Sequence, residues 1–331
     1  MPLSLNDECW EVISRYLKYI NSDDFKEYAV KFAFKIRETL IGGYKSGIGE
    51  IYIVKNLVEN LDGLKTPDNK GFKIYTKSIF IHGSKSYVEF QYNGKMVYSE
   101  LGDLIFILSV IYKDKKYFEK LTISQFKKEY RCRWNFNEKQ VYLLSHFPAF
   151  RGKKGYVPKD KWFHLCNNSG CLGSFNLLFE PDGFVYMSAE MLEQFLRNIK
   201  HLKVSEVLLT YYDRYFCSWY RQLYTLTFYA NHTILDFCHF APDILYFTDN
   251  YLRGNIGEMT CSCIGNYNKS ASEFIRELVK GLKKREGKKE FAEEFLRYKC
   301  VCNDKNNDET PEFDFEDGGI GIIWTIINLG E

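Results

Sequence analysis

Ser99 to Lys128 reads SELGDLIFILSVIYKDKKYFEKLTISQFKK. From Leu104 to Ile111 every residue but Ser109 is apolar, the pattern of a central strand covered on both faces. Asp103 opens that strand, where a carboxylate is expensive unless it is paired or coordinates a metal. Lys113-Asp114-Lys115-Lys116 follows as a charged turn, and Leu121 to Lys128 returns as the next strand, antiparallel to the first. On it Leu121, Ile123, Gln125 and Lys127 share one face by the two-residue period, so an amide and an ammonium follow two apolar residues into the same side.

Working outward, Glu50 to Leu61 reads as a helix that puts Glu50 on one stripe with Val54, Leu57 and Leu61. Helical spacing also marks the chain before Gly42. Ile74 to His82 and Tyr87 to Tyr92 read as strands, with Asn93-Gly94 a tight-turn signal, and the region is expected to form helix, then a three-strand meander. Asn135 to Phe147 reads as a helix ending before Pro148, and Arg151 to Lys161 as a basic loop or lid. Strands are expected near 162–166, 174–179 and 184–187, and a helix near 189–199. Beyond it, Val204 to Tyr229 reads as a long aromatic helix, Ala271 to Lys284 and Glu290 to Tyr298 as amphipathic helices, and Ile320 to Asn328 as a final strand. The expected class is α/β, a mixed central sheet flanked by helices with a mainly helical C-terminal region. The division is a helical segment at 1–40, the core and its extension at 41–200, and an accessory region at 201–331 for recognition or homodimer contacts.

The totals narrow the function. A hydrophobic share of 45% over 331 residues suits a large buried core, and 25 Tyr with 27 Phe make broad aromatic surfaces possible. Net charge is only +2, so a basic footprint for nucleic acid has to be local. Asp7, Glu8 and Glu11 interrupt any charged-then-apolar leader, and no apolar run approaches the roughly 18 residues of a spanning helix. The chain is therefore expected to be soluble and cytoplasmic, without a membrane partner. Its ten cysteines are expected to be reduced and buried, with zinc on Cys261, Cys263, Cys300 and Cys302 as the alternative.

Glu50 on a helix, a hairpin, Ser99-Glu100-Leu101-Gly102-Asp103, then Ile123-Ser124-Gln125-Phe126-Lys127 and a following helix resemble the PD-(D/E)xK nuclease superfamily. The likeness is to the Gln variant of Mrr-like restriction endonucleases and spans roughly residues 40–150. It implies a restriction-endonuclease-like core and a Mg²⁺-dependent endonuclease, with Mn²⁺ as an alternative ion, that leaves 5′-phosphates on nucleic acid, DNA above all, in restriction or genome defence. By the same resemblance Asp103 binds the metal, Gln125 offers its amide oxygen, Glu50 and Glu100 are further ligands, and Lys127 handles the attacking water. Arg151, Lys153, Lys154, Lys159 and Lys161 would grip phosphates, though such a run also suits a solvated face. Gln in place of an acid removes one negative charge from the site. The residues alone leave three rivals: an ordinary Asp103–Lys127 ion pair, a nuclease-like fold that binds nucleic acid without cutting, and an interaction protein using the aromatic helix.

Overall fold

The computed structural model describes residues 5–67, 72–81, 86–129, 133–179, 182–197, 201–203, 239–302 and 319–330. Three helices come first: α1 (Leu5–Tyr19), α2 (Asp23–Lys45) and α3 (Glu50–Leu61). Ser22 starts α2 by accepting the Phe25 N–H at 3.2 Å, satisfying a donor that the first helical turn leaves free. The helix runs on through Gly42 and Gly43, where glycines suggested a break, and stops at Ser46.

Strands follow as β1 (Lys73–Ile81), β2 (Tyr87–Tyr92), β3 (Lys95–Glu100), β4 (Leu104–Tyr112) and β5 (Lys115–Lys128). Next come β6 (Arg133–Asn135), α4 (Glu138–His146), β7 (Phe150–Lys154), β8 (Gly173–Phe179), β9 (Gly183–Ser188) and α5 (Ala189–Leu196). The described chain continues with β10 (His201–Lys203), β11 (Phe240–Ala241), α6 (Ile244–Leu252), β12 (Glu258–Ser262), α7 (Lys269–Leu282), α8 (Lys289–Arg297), β13 (Lys299–Cys300) and β14 (Ile320–Asn328). The aromatic stretch Val204–Tyr229 and the acidic stretch after Cys302 lie outside the described residues, as does His82.

The architecture is α/β around a mixed nine-stranded sheet of order β1-β14-β4-β5-β8-β9-β11, with β12 and β13 also on β5. All nine residues of β4 are buried, as its apolar run requires. Alternation sends Ile105, Ile107, Leu121 and Ile123 to one core with α4, α5, α7 and α8, and Phe106, Leu108 and Phe126 to another with α1, α2, α3 and α6. Each such side chain contributes about 1.5–3 kcal/mol relative to leaving it in water.

Two features depart from the expected meander. The β2–β3 hairpin, turned by Asn93 and Gly94 at positive φ, leaves the main sheet and pairs with β7 instead. In its place β14 runs between β1 and β4, antiparallel to the first and parallel to the second, so strands from the C-terminal part are woven into the sheet that carries Asp103.

The cysteine expectation is corrected as well. Cys9 is bonded to Cys263 and Cys261 to Cys300, with Cα separations of 6.0 and 5.9 Å that suit a bridge. Those bonds join Cys261 to Cys300 and Cys263 to Cys9, so three of the four sulfurs expected for zinc are in bridges, which removes the set as a zinc site. Disulfides persist in oxidising surroundings, which counts against the cytoplasmic expectation. Among the described residues no helix is long and apolar enough to cross a membrane.

Candidate functional site

The site is built where β4 begins and β5 approaches its end. Leu104 pairs with Ser124, which puts Asp103 opposite Gln125 across the antiparallel ladder. The Asp103 N–H donates to the Ser124 carbonyl at 2.9 Å, so the carboxylate is anchored by backbone before its side chain makes any contact. Gly102 permits this closeness: a Cβ there would stand 2.9 Å from Ile123 Cγ2 and 3.1 Å from the Ser124 oxygen.

Asp103 Oδ2 accepts the Phe126 N–H at 2.8 Å and the amide nitrogen of Gln125. Gln125 Oε1 in turn accepts from Gln140 Nε2 at 2.6 Å, and Gln140 also donates to the Glu100 carbonyl at 3.3 Å. The expected orientation of Gln125 is thus reversed. The amide's N–H₂ end meets the Asp103 carboxyl, and Gln140 claims the oxygen. Gln140 was not singled out from the sequence, although the signal exists. It heads the stripe Gln140, Leu143, Leu144 and Phe147 on α4, the same reasoning that selected Glu50 on α3.

Glu50 sits in the first turn of α3, favoured there by the helix dipole, and its Oε1 accepts the Lys128 N–H at 2.5 Å. It therefore holds the end of β5 from the second core. Lys128, not Lys127, turns toward that core: its Nζ reaches the Ile48 carbonyl at 3.2 Å and lies 4.4 Å from the Tyr44 ring centroid. Lys127 is half-buried and stays close enough for its charge to act on Asp103.

Electrostatics joins these groups. Asp103 is buried, and its pKa is pushed up to about 8, first by burial and next by the Glu100 charge. Glu50 raises it further, while the Phe126 N–H and, more weakly, Lys127 pull it down. Burial and two neighbouring carboxylates therefore oppose ionisation of Asp103 more than the Phe126 N–H and Lys127 favour it. Among the described residues no group of three or more His, Cys, Asp or Glu is arranged to hold a metal. Mg²⁺ needs less than that, since it keeps several waters and takes one or two carboxylates together with substrate phosphate. Asp103 is the carboxylate here that such an ion could take, with Glu50 and Glu100 as acids whose charges act on it.

The basic segment has a different form from the expected loop. Its first residues belong to β7, and Arg151 pairs with Glu89 at 2.5 Å, with Lys153 on the same carboxylate at 3.8 Å. Lys161 pairs with Glu277, Lys154 is exposed and Lys159 half-buried. No family model, no curated protein and no solved structure matches the chain.

Proposed function

We propose that the chain is a Mg²⁺-dependent endonuclease that hydrolyses phosphodiester bonds in DNA. The observation that carries this reading is Asp103, a buried carboxylate crowded by Glu100 and Glu50, opposite Gln125 and near Lys127. The order of α3, the β2–β3 hairpin, β4, β5 and α4 supports a restriction-endonuclease-like core around it.

Asp103 would hold the ion, and Glu50 and Glu100 would add carboxylate charge around it. When bound, Mg²⁺ polarises the phosphoryl oxygen and offsets charge that builds up on it. Gln125 and Gln140 fix the rotamer of Asp103 through one hydrogen-bonded chain. Lys127 would supply positive charge at the scissile phosphate and orient the attacking water.

One observation favours a second reading, a nucleic-acid-binding protein on the same fold that does not cut: the Gln125 oxygen is engaged by Gln140. Incubating the purified chain with DNA and RNA in Mg²⁺, Mn²⁺ or EDTA separates the two. Lys127→Met should lower cleavage by about 100-fold or more while substrate binding and thermal stability persist. Cleavage that survives the substitution, or that proceeds in EDTA, would remove the proposal.

A further inference from the structure

The small sheet β3-β2-β7 has one face buried through Val88 and Phe90 and the other open. Across the open face Tyr98, Glu89 and Arg151 lie in one row, each on a different strand. Tyr98 is 63% exposed and Trp162 40%, a large apolar display for a solvated surface. Tyr87 meets Tyr98 edge-on with ring centroids 5.9 Å apart, and the Arg151 guanidinium lies 5.1 Å from the Trp162 ring centroid. Lys153 stands on this face beside Glu89, and Lys154 continues the strand into solvent.

We infer that this face is a platform for single-stranded DNA, with bases stacked on Tyr98 and Trp162 and phosphates held by Arg151, Lys153 and Lys154. The inference deepens the nuclease reading and rests on it for its substrate class. Three observations carry it. Every base presents a π-face, so spaced exposed aromatics receive a strand whatever its sequence, and a neighbouring guanidinium strengthens the stack. Charge is complementary, because Arg151, Lys153 and Lys154 stand on or beside this face against the one carboxylate of Glu89, a local positive excess in a chain of net charge only +2. Position is continuous with the site: from Tyr98 the strand passes Glu100, which acts on Asp103, and Asp103 follows three residues later.

A duplex hides its base faces in the stack, so the platform discriminates against it. Glu89 sets its strength, since one carboxylate beneath two cations orients them and also repels phosphate.

The test measures binding of labelled oligo(dT) and of a duplex of equal length to the full chain in EDTA, where nothing is cleaved. The single strand should bind at least about tenfold tighter than the duplex, and Tyr98→Ala or Trp162→Ala should each weaken it by about 5- to 100-fold. Tyr98→Phe should retain binding, because the ring is kept. Lys153→Ala with Lys154→Ala should make the log–log salt slope shallower by about 0.7 per cation removed. Glu89→Gln should tighten binding, a gain that a purely structural role for the carboxylate would not produce. Equal affinity for the duplex, or wild-type affinity in Tyr98→Ala with an unchanged melting temperature, overturns the platform. A chain that binds through Tyr98 but cuts nothing in Mg²⁺ keeps the platform and loses the nuclease. One that cuts while Tyr98→Ala binds normally does the reverse.

Discussion

Asp103→Asn is expected to stabilise the folded chain at neutral and alkaline pH and to leave it unchanged in acid. The pKa of Asp103 is raised on folding, from an ordinary value of 3.8 to about 8. Well below 3.8 the carboxyl is protonated in both states and contributes no difference. Between the two values the folded chain binds the proton that the unfolded chain has lost, so stability falls as pH rises and the full penalty stands above pH 8. Asparagine stays neutral throughout and its oxygen can still accept from Gln125 and the Phe126 N–H. The gain should be on the order of 4 kcal/mol near pH 7 and somewhat larger above pH 8. Urea unfolding of both proteins between pH 4 and pH 9 reads this directly, and curves that run parallel would refute the assignment. On the proposed reading, added Mg²⁺ should stabilise the native protein and leave this variant unaffected. On that reading, the stability lost at Asp103 is the exchange expected of function against stability.

A larger loss is expected far from that site. Lys116 and Glu119 form an ion pair with side chains 3% and 2% exposed. Ser109 donates to Glu119 Oε2 at 2.8 Å, Thr260 to Oε1 at 3.1 Å, and Trp324 Nε1 to the Ser109 hydroxyl at 2.9 Å. The ammonium also lies 4.7 Å from the centroid of the Phe295 ring. Burial lowers the pKa of Lys116 and the Glu119 charge opposes that shift. Lys116→Met would strand the carboxylate and Glu119→Gln would strand the ammonium, each costing about 3–5 kcal/mol. Combining them removes both charges, so much of either loss should return. Denaturant unfolding with unchanged m-values tests the coupling, and losses that simply add would show the two groups act independently.

That pair also shows why part of the fold could not be read from the sequence. Lys115 to Lys120 carries four charges and looks like the edge of a turn, yet it is the first half of β5. What hides it is β12 and β13, drawn from far along the chain and joined by the Cys261–Cys300 bond. Local pattern was sufficient where the environment is uniform: β4 is apolar but for Ser109 and buried throughout, β14 is a nearly continuous apolar run, and α7 follows its helical periodicity. The site divides the same way. Asp103 stood out as a charge in an apolar context and its place opposite Gln125 follows from strand alternation. The direction of the Gln125 amide depends on Gln140 from another helix, and the basic run depends on Glu89 and Glu277, partners that no local window contains.

The position of β14 has a consequence for synthesis. Until Ile320 to Asn328 has left the ribosome, β1 and β4 cannot be joined, and each presents a row of unpaired backbone groups. Pairing over such sequence separation is slow, because the loop entropy is lost before the contacts form. The nascent chain is therefore expected to hold its most apolar strand open on one side until β14 emerges, and closure of this sheet to come late in folding.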